Sequence, residues 1–114
     1  MRKYLDIPLT LIVTTVLTVA MLWPIPQPPP GPDGSDKVVH LIAFAALAFP
    51  LARTGRIGLV PVFMGASAFG GLIEVIQPTF GRSADTQDWI ADIAGVALGM
   101  MLALLYRRLR KHPA

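Results

Sequence analysis

The sequence predicts an all-α fold, a four-helix transmembrane bundle with both the N-terminus and the C-terminus in the cytoplasm. Three observations predict it. Apolar residues make up 54% of the 114 residues and charged residues only 15%, which is more apolar surface than a soluble domain of this size can bury. The apolar residues are gathered into four stretches, and most of the positive charge lies at alternate ends of those stretches.

The four stretches predict helices at about residues 5–24, 36–52, 57–77 and 87–108. A helix that crosses a bilayer needs about 20 residues, and the first, third and fourth stretches reach that length directly. The second is long enough only if it begins among Ser35, Asp36 and Lys37. Ser35 can cap the helix there, Asp36 suits the positive end of the helix dipole, and Pro50 is expected near its end.

Three loops connect these helices within one domain that covers residues 1–114. The first loop, residues 24–34, is so rich in proline that it can form neither a helix nor a central strand. Residues 53–56 form a tight turn around Gly55. Residues 77–87, with Pro78 and Gly81, form the last loop.

The distribution of lysine and arginine predicts the orientation. Eight of the ten basic residues lie before helix one, between helices two and three, or after helix four: Arg2, Lys3, Arg53, Arg56, Arg107, Arg108, Arg110 and Lys111. The other two loops hold only Lys37 and Arg82. Because positive residues remain on the cytoplasmic side, the basic side is assigned to the cytoplasm of a multi-pass protein in the bacterial cytoplasmic membrane.

Helix one has an alternative interpretation as a cleaved signal peptide, because Arg2 and Lys3 give the chain a basic start. The apolar run is long for such a peptide, and no small-residue cleavage site follows it. Removal of helix one would leave the other three helices in the same orientation.

Ionisable residues inside the predicted helices need a reason, because each costs a few kcal/mol at membrane depth. His40, Glu74 and Asp92 are such residues, and the predicted topology places all three at the outer ends of their helices. Each has a polar neighbour three or four positions away, namely Asp36, Gln77 and Asp88, on the same helix face. On helix four, that face continues through Gly95 and Gly99, a pattern that allows close helix approach.

We therefore expect a polar pocket that opens to the outer leaflet. Its predicted lining is Asp36, Lys37, His40, Glu74, Gln77, Arg82, Asp88 and Asp92. Lys37 and Arg82 would face phosphate, while the histidine and the buried acids would orient polar groups of a membrane lipid or a lipid-linked cell-wall precursor.

Two other functions remain open. In the first, the chain is an enzyme, with His40, Glu74 or Asp92 acting as acid and base in transfer or hydrolysis on a lipid-linked substrate. In the second, the polar residues only stabilise the bundle, for example through a buried pair between His40 and Glu74. One histidine with carboxylates is compatible with a divalent ion, although the spacing alone predicts no metal site.

Other functions are disfavoured. The chain has no G-x-S-x-G elbow, no phosphate-binding glycine loop and no H-E-x-x-H pair. The basic C-terminal residues indicate topology and contact with anionic lipid, and no nucleic-acid partner is expected. A homo-oligomer is compatible with the sequence, which does not set the oligomeric state.

The motifs taken together resemble the VanZ-like family. The resemblance consists of Asp36-Lys37-x-x-His40 with Phe44, Gly70-Gly71 leading to Glu74 and Gln77, Gly81-Arg82-Ser83 with Asp88, and Asp92-x-x-Gly95-x-x-x-Gly99. It implies a small polytopic protein of the cell envelope, in a family named for a member associated with low-level resistance to the antibiotic teicoplanin. Asp92 stands where this family often carries asparagine. The aspartate in this chain adds negative charge to the site.

Overall fold

The computed structural model describes residues 5–23, 35–80 and 86–111. Four α-helices lie in these ranges: α1 (Asp6–Leu22), α2 (Ser35–Thr54), α3 (Leu59–Ile76) and α4 (Thr86–Lys111), and a short 3-10 helix (Gln77–Phe80) continues α3. The described ranges contain no β-strand, so the predicted all-α fold with four helices is confirmed.

Three of these helices are long and apolar enough to cross a membrane. They are α2 from Lys37, α3 together with the 3-10 helix, and α4 as far as Arg110. Helix α1 is apolar but has 17 residues, which lies at the short end of the range for a span. Large apolar side chains such as Val60, Val75 and Met101 are exposed on the outside of the bundle, as expected for a surface that contacts lipid.

Consecutive helices run in opposite directions, and side-chain contacts identify the two ends of the bundle. At one end His40 of α2 meets Asp92 of α4; we call this the histidine end. At the other end, Arg107 of α4 donates to the carbonyl oxygen of Ala52 at 3.4 Å; we call this the arginine end. Several basic residues that predicted the cytoplasmic side fall within the described ranges, and these lie at the arginine end.

Helices α2 and α4 pack most closely, and glycine makes this possible. A Cβ atom built on Gly95 would overlap the backbone of Leu41, and one built on Gly99 would overlap the backbone of Ala45. The predicted close approach along the Gly95 and Gly99 face is therefore confirmed, with α2 as the neighbouring helix.

The apolar core lies between the two ends. Its fully buried residues include Phe44 of α2 and Val96 of α4, and Ile73 of α3 is almost fully buried. The ring of Phe44 lies 5.9 Å from that of Phe69, tilted by 36°, which joins α2 to α3. This core holds three helices in register just beneath the histidine end.

The observed end of α2 differs from the prediction. The helix continues through Pro50 to Thr54, because a membrane helix tolerates the loss of the one backbone hydrogen bond that proline removes. It ends where Gly55 adopts a φ of 73°, with the Gly55 N–H donating to the carbonyl oxygen of Leu51 at 3.2 Å. A glycine in this left-handed conformation is the physical stop signal, as the predicted turn implied.

Candidate functional site

Three helices bring polar side chains together at the histidine end. The first turns of α2 carry Lys37 and His40, the last turn of α3 carries Glu74, and the first turns of α4 carry Asp88 and Asp92. Because α3 runs opposite to α2 and α4, the end of one helix meets the beginnings of the other two. We call these five residues the polar cluster.

A direct contact within the polar cluster joins His40 to Asp92. The Nδ1 atom of His40 lies 2.7 Å from Oδ1 of Asp92, whose side chain is fully buried. The other ring nitrogen, Nε2, lies 3.7 Å from Oδ2 of Asp88. The imidazole is therefore flanked by two carboxylates from successive turns of α4, which are four residues apart.

Lys37 forms the rim of the polar cluster. Its Nζ atom donates to Oδ1 of Asp88 at 3.0 Å, and 30% of the lysine side chain is exposed compared with 12% for Asp88. Lysine at the end of a spanning helix can direct its ammonium group toward the membrane interface. The cluster thus changes from partly exposed at Lys37 to fully buried at Asp92.

Glu74 completes the inner part of the polar cluster. One ligand atom each from His40, Glu74 and Asp92 lie within 4.8 Å of one another, and both carboxylates are buried. Two carboxylates and one imidazole at this distance can bind a cation, hydrogen-bond a polar ligand, or exchange protons with a substrate.

Asp92 has an oxygen that its neighbours do not satisfy. Within the described ranges, its buried Oδ2 atom has no hydrogen-bond partner. This oxygen lies against Gly70 of α3, where an added Cβ would stand only 2.9 Å away and would also meet Phe44 at 3.2 Å. Glycine at position 70 therefore leaves the room that the Asp92 carboxylate occupies.

Trp89 fixes α4 against α3 beside the polar cluster. Its Nε1 donates to the carbonyl oxygen of Ser67 at 2.9 Å, and its ring lies against Gly71. The two adjacent glycines of α3 thus accept different neighbours on α4, Asp92 at Gly70 and the Trp89 indole at Gly71. This pair of contacts sets the rotation of α4 that places Asp88 and Asp92 beside His40.

Gln77 connects the site to α1. Its Nε2 donates to the carbonyl oxygen of Met21 at 3.2 Å, and the Oε1 atom is buried without a hydrogen-bond partner among the described residues. The sequence predicted that Gln77 lines the pocket with Glu74. In the structure, its amide nitrogen holds the end of α1 against the 3-10 helix.

Two predicted site residues are not tested by this geometry. Arg82 lies outside the described residues, and so does the side chain of Asp36. A role for either one in the pocket stays a prediction.

Another buried acid, Asp6, lies at the arginine end and was not among the predicted site residues. Its Oδ2 accepts a hydrogen bond from Thr54 Oγ1 at 2.7 Å and forms an ion pair with Arg56 Nε at 3.0 Å. Its Oδ1 accepts a hydrogen bond from the Ile7 N–H at 2.7 Å. These contacts join the beginning of α1 to the turn between α2 and α3. A carboxylate at the first turn of an apolar run, on the same side as the basic residues, was the available signal.

Comparison with known proteins agrees with this architecture. The family model described as VanZ/LLP1 matches residues 5–107, which include α1, α2, α3, α4 as far as Arg107, and the whole polar cluster. No curated protein and no solved structure matches the chain. Since the family match covers most of the 114 residues, the chain is a membrane protein that belongs to the VanZ/LLP1 family.

Proposed function

We propose that the histidine end opens to the outer leaflet of the bacterial cytoplasmic membrane and binds a phosphate-bearing lipid headgroup. The ligand would come from an envelope phospholipid or from a lipid-linked cell-wall precursor. The observation that carries the proposal is the convergence of His40, Glu74 and Asp92 from three helices within 4.8 Å, beneath a partly exposed Lys37.

The charge distribution supports the outward orientation. Five arginines lie at the arginine end: Arg53, Arg56, Arg107, Arg108 and Arg110. Among the described residues, the histidine end has one lysine, Lys37, and no arginine. Positive residues remain in the cytoplasm during insertion, so the histidine end faces the outer leaflet in this proposal.

The chemistry of the polar cluster supports a headgroup as ligand. Lys37, together with Arg82 in the loop that precedes α4, supplies cations for phosphate oxygens. The buried carboxylates accept hydrogen bonds from hydroxyl or ammonium groups of the same headgroup. The exposed apolar sides of the helices keep the acyl or prenyl chains of such a ligand in the bilayer.

Native mass spectrometry of the purified full chain tests this proposal. One arm adds phosphatidylglycerol or phosphatidylethanolamine, and the other adds a polyprenyl pyrophosphate, which distinguishes the two sources of phosphate. We expect Lys37→Gln to lower the bound fraction about fivefold, since it removes a partly desolvated phosphate contact.

Arg110→Gln is the control matched in charge, because it removes one positive charge at the opposite end. We expect it to leave the bound fraction close to that of the wild type. Equal losses in the two variants would show that binding is general attraction to anionic lipid, which contradicts a site at the histidine end.

A membrane enzyme is the second candidate, and the 2.7 Å contact between His40 and Asp92 favours it. A histidine oriented by a carboxylate can act as a general base, and Glu74 lies close enough to act as an acid. Release of phosphate from a radiolabelled polyprenyl pyrophosphate by the wild type, but not by Glu74→Gln, would establish this activity. Lipid binding without turnover would contradict the enzyme and support headgroup binding alone.

A contribution to teicoplanin resistance is part of the proposal if the ligand is a cell-wall precursor. A susceptible bacterium that expresses the chain would then tolerate more teicoplanin than one that expresses Glu74→Gln at the same membrane abundance. Equal susceptibility would separate the site from resistance.

A further inference from the structure

We propose that His40, Glu74 and Asp92 bind a divalent transition-metal ion. The inference rests on the proposed function for the location of the pocket and deepens it by naming a cofactor that contacts the headgroup phosphate. Its evidence is the geometry of three donor atoms and the state of one buried carboxylate.

The three donor groups are nearly at the spacing of metal ligands. Bonds of about 2.1 Å to one ion place neighbouring ligand atoms about 3 Å apart and opposite ligand atoms about 4.2 Å apart. One donor atom from each residue lies within 4.8 Å of the others, and the 2.7 Å hydrogen-bonded contact between His40 Nδ1 and Asp92 Oδ1 would open to metal-ligand spacing once its proton is released. Side-chain movements of less than about 1 Å therefore bring the atoms to a common centre.

Asp92 provides the second, independent observation. Its side chain is fully buried and its Oδ2 has no hydrogen-bond partner within the described ranges. The oxygen lies against Gly70 on α3, one turn before Glu74 on the same helix. An acceptor with unused lone pairs in a low-dielectric site is costly, and a bound cation would satisfy it.

The surroundings of His40 fit a metal ligand. Asp88 lies 3.7 Å from its Nε2 atom and is itself bonded to Lys37 at 3.0 Å. Metal-binding histidines are usually oriented by a carboxylate, which in turn has its own hydrogen-bond partner. Lys37 and Asp88 place such a pair beside the imidazole, and a shift of about 1 Å would bring Asp88 within hydrogen-bond distance of Nε2.

The donor set selects the kind of ion. Imidazole suits Zn²⁺ and the two carboxylates also suit Mn²⁺, whereas Mg²⁺ and Ca²⁺ prefer sites made only of oxygen. Three protein ligands leave at least one coordination position for a phosphate oxygen or water. A metal that contacts phosphate would give the pocket a preference for phosphate-bearing headgroups that Lys37 alone cannot provide.

Metal stoichiometry of the purified protein tests the inference. Untagged full chain is stripped with a chelator, dialysed against Zn²⁺ or Mn²⁺ alone, and analysed for bound metal. We expect about one ion per chain, and an affinity at least tenfold weaker in Asp92→Asn and in His40→Gln. His112→Gln removes the other histidine of the chain and should bind like the wild type.

Cobalt provides a readout on the wild type that does not depend on any variant folding. Co²⁺ bound by one imidazole and two carboxylates gives visible absorption bands. These bands disappear when Zn²⁺ displaces the Co²⁺ ion. Folded, chelator-stripped wild type that binds less than about 0.1 equivalent of Zn²⁺ and of Mn²⁺ would overturn the metal site. Equal metal binding by His40→Gln and His112→Gln would also overturn it.

The two proposals fail in different ways. Loss of the metal site with headgroup binding intact overturns only the inference made here. Metal binding at His40 and Asp92 without a difference between Lys37→Gln and Arg110→Gln overturns only the headgroup proposal.

Discussion

His40 Nδ1 lies 2.7 Å from Asp92 Oδ1, although the two residues are 52 positions apart in the chain. The contact joins α2 to α4 near the beginning of both helices, where a polar side chain without a partner would be costly. It makes the polar cluster a structural connection as well as a candidate binding site. The structural and the binding contribution can be separated by experiment.

A double-mutant cycle on His40→Ala and Asp92→Ala measures the structural contribution. We expect a coupling of about 0.5 to 2 kcal/mol in the free energy of unfolding, the range of hydrogen bonds between helices in membranes. Steric-trapping or detergent unfolding provides the measurement. The Thr15 hydroxyl donates only within its own helix, on an exposed face. The effects of His40→Ala and Thr15→Ala on the free energy of unfolding should therefore be additive. Additivity in both cycles would contradict a direct His40–Asp92 interaction.

Gly95→Ala should destabilise the bundle by about 1 to 3 kcal/mol, because the new methyl group would overlap the backbone of Leu41 on α2. The control is Gly65→Ala on α3, where no atom lies within 4 Å of an added Cβ. Thermal unfolding in detergent compares the two variants. Equal melting temperatures would show that α2 and α4 do not pack through Gly95.

Thr54→Val should lower the melting temperature by about 5 °C, since it removes the hydroxyl that donates to Asp6 at 2.7 Å. Thr15→Val is its control, because the Thr15 hydroxyl donates only to Leu11 in its own helix at 2.8 Å. The expected loss appears in Thr54→Val alone. Indistinguishable variants would contradict the role of Asp6 in holding α1 to the turn after α2.

Single cysteines test the orientation, since the chain contains no native cysteine. Ser35→Cys, at the start of α2, should react in whole cells with a maleimide that cannot cross membranes. Arg110→Cys, near the end of α4, should react only after the cells are permeabilised. The reverse pattern would place the histidine end in the cytoplasm and remove the proposal of an outer-leaflet ligand.

The helices could be predicted from the sequence because length, apolar character and glycine or proline stop signals are local properties. The turn at Gly55 is an example, since its φ of 73° strongly favours glycine. Pro50 shows the limit of local reasoning. It was expected near the end of α2, whereas the helix continues for four more residues to Thr54 because tertiary packing and lipid favour helix over an exposed backbone.

The pairing within the polar cluster could not be predicted, because it depends on distances between helices. A pair between His40 and Glu74 was one alternative from the sequence, whereas the 2.7 Å contact between His40 and Asp92 was not predicted. Gly95 and Gly99 bring the α4 backbone against α2, so a short aspartate on α4 reaches the imidazole. Asp6 was overlooked for a similar reason, since its partners Thr54 and Arg56 come from a distant turn.

The central claim is that the polar cluster binds a ligand, and Glu74→Gln tests it most directly. This change keeps the shape of the side chain and removes its charge, so both folding and lipid binding are measured on the same purified variant. We predict a melting temperature within about 3 °C of the wild type and weaker binding, in native mass spectrometry, of lipids whose headgroups carry hydroxyl or ammonium groups, because the charged acceptor at position 74 is lost. A clearly lower melting temperature, with lipid binding per folded molecule unchanged, would contradict the claim and leave the cluster as a purely structural connection.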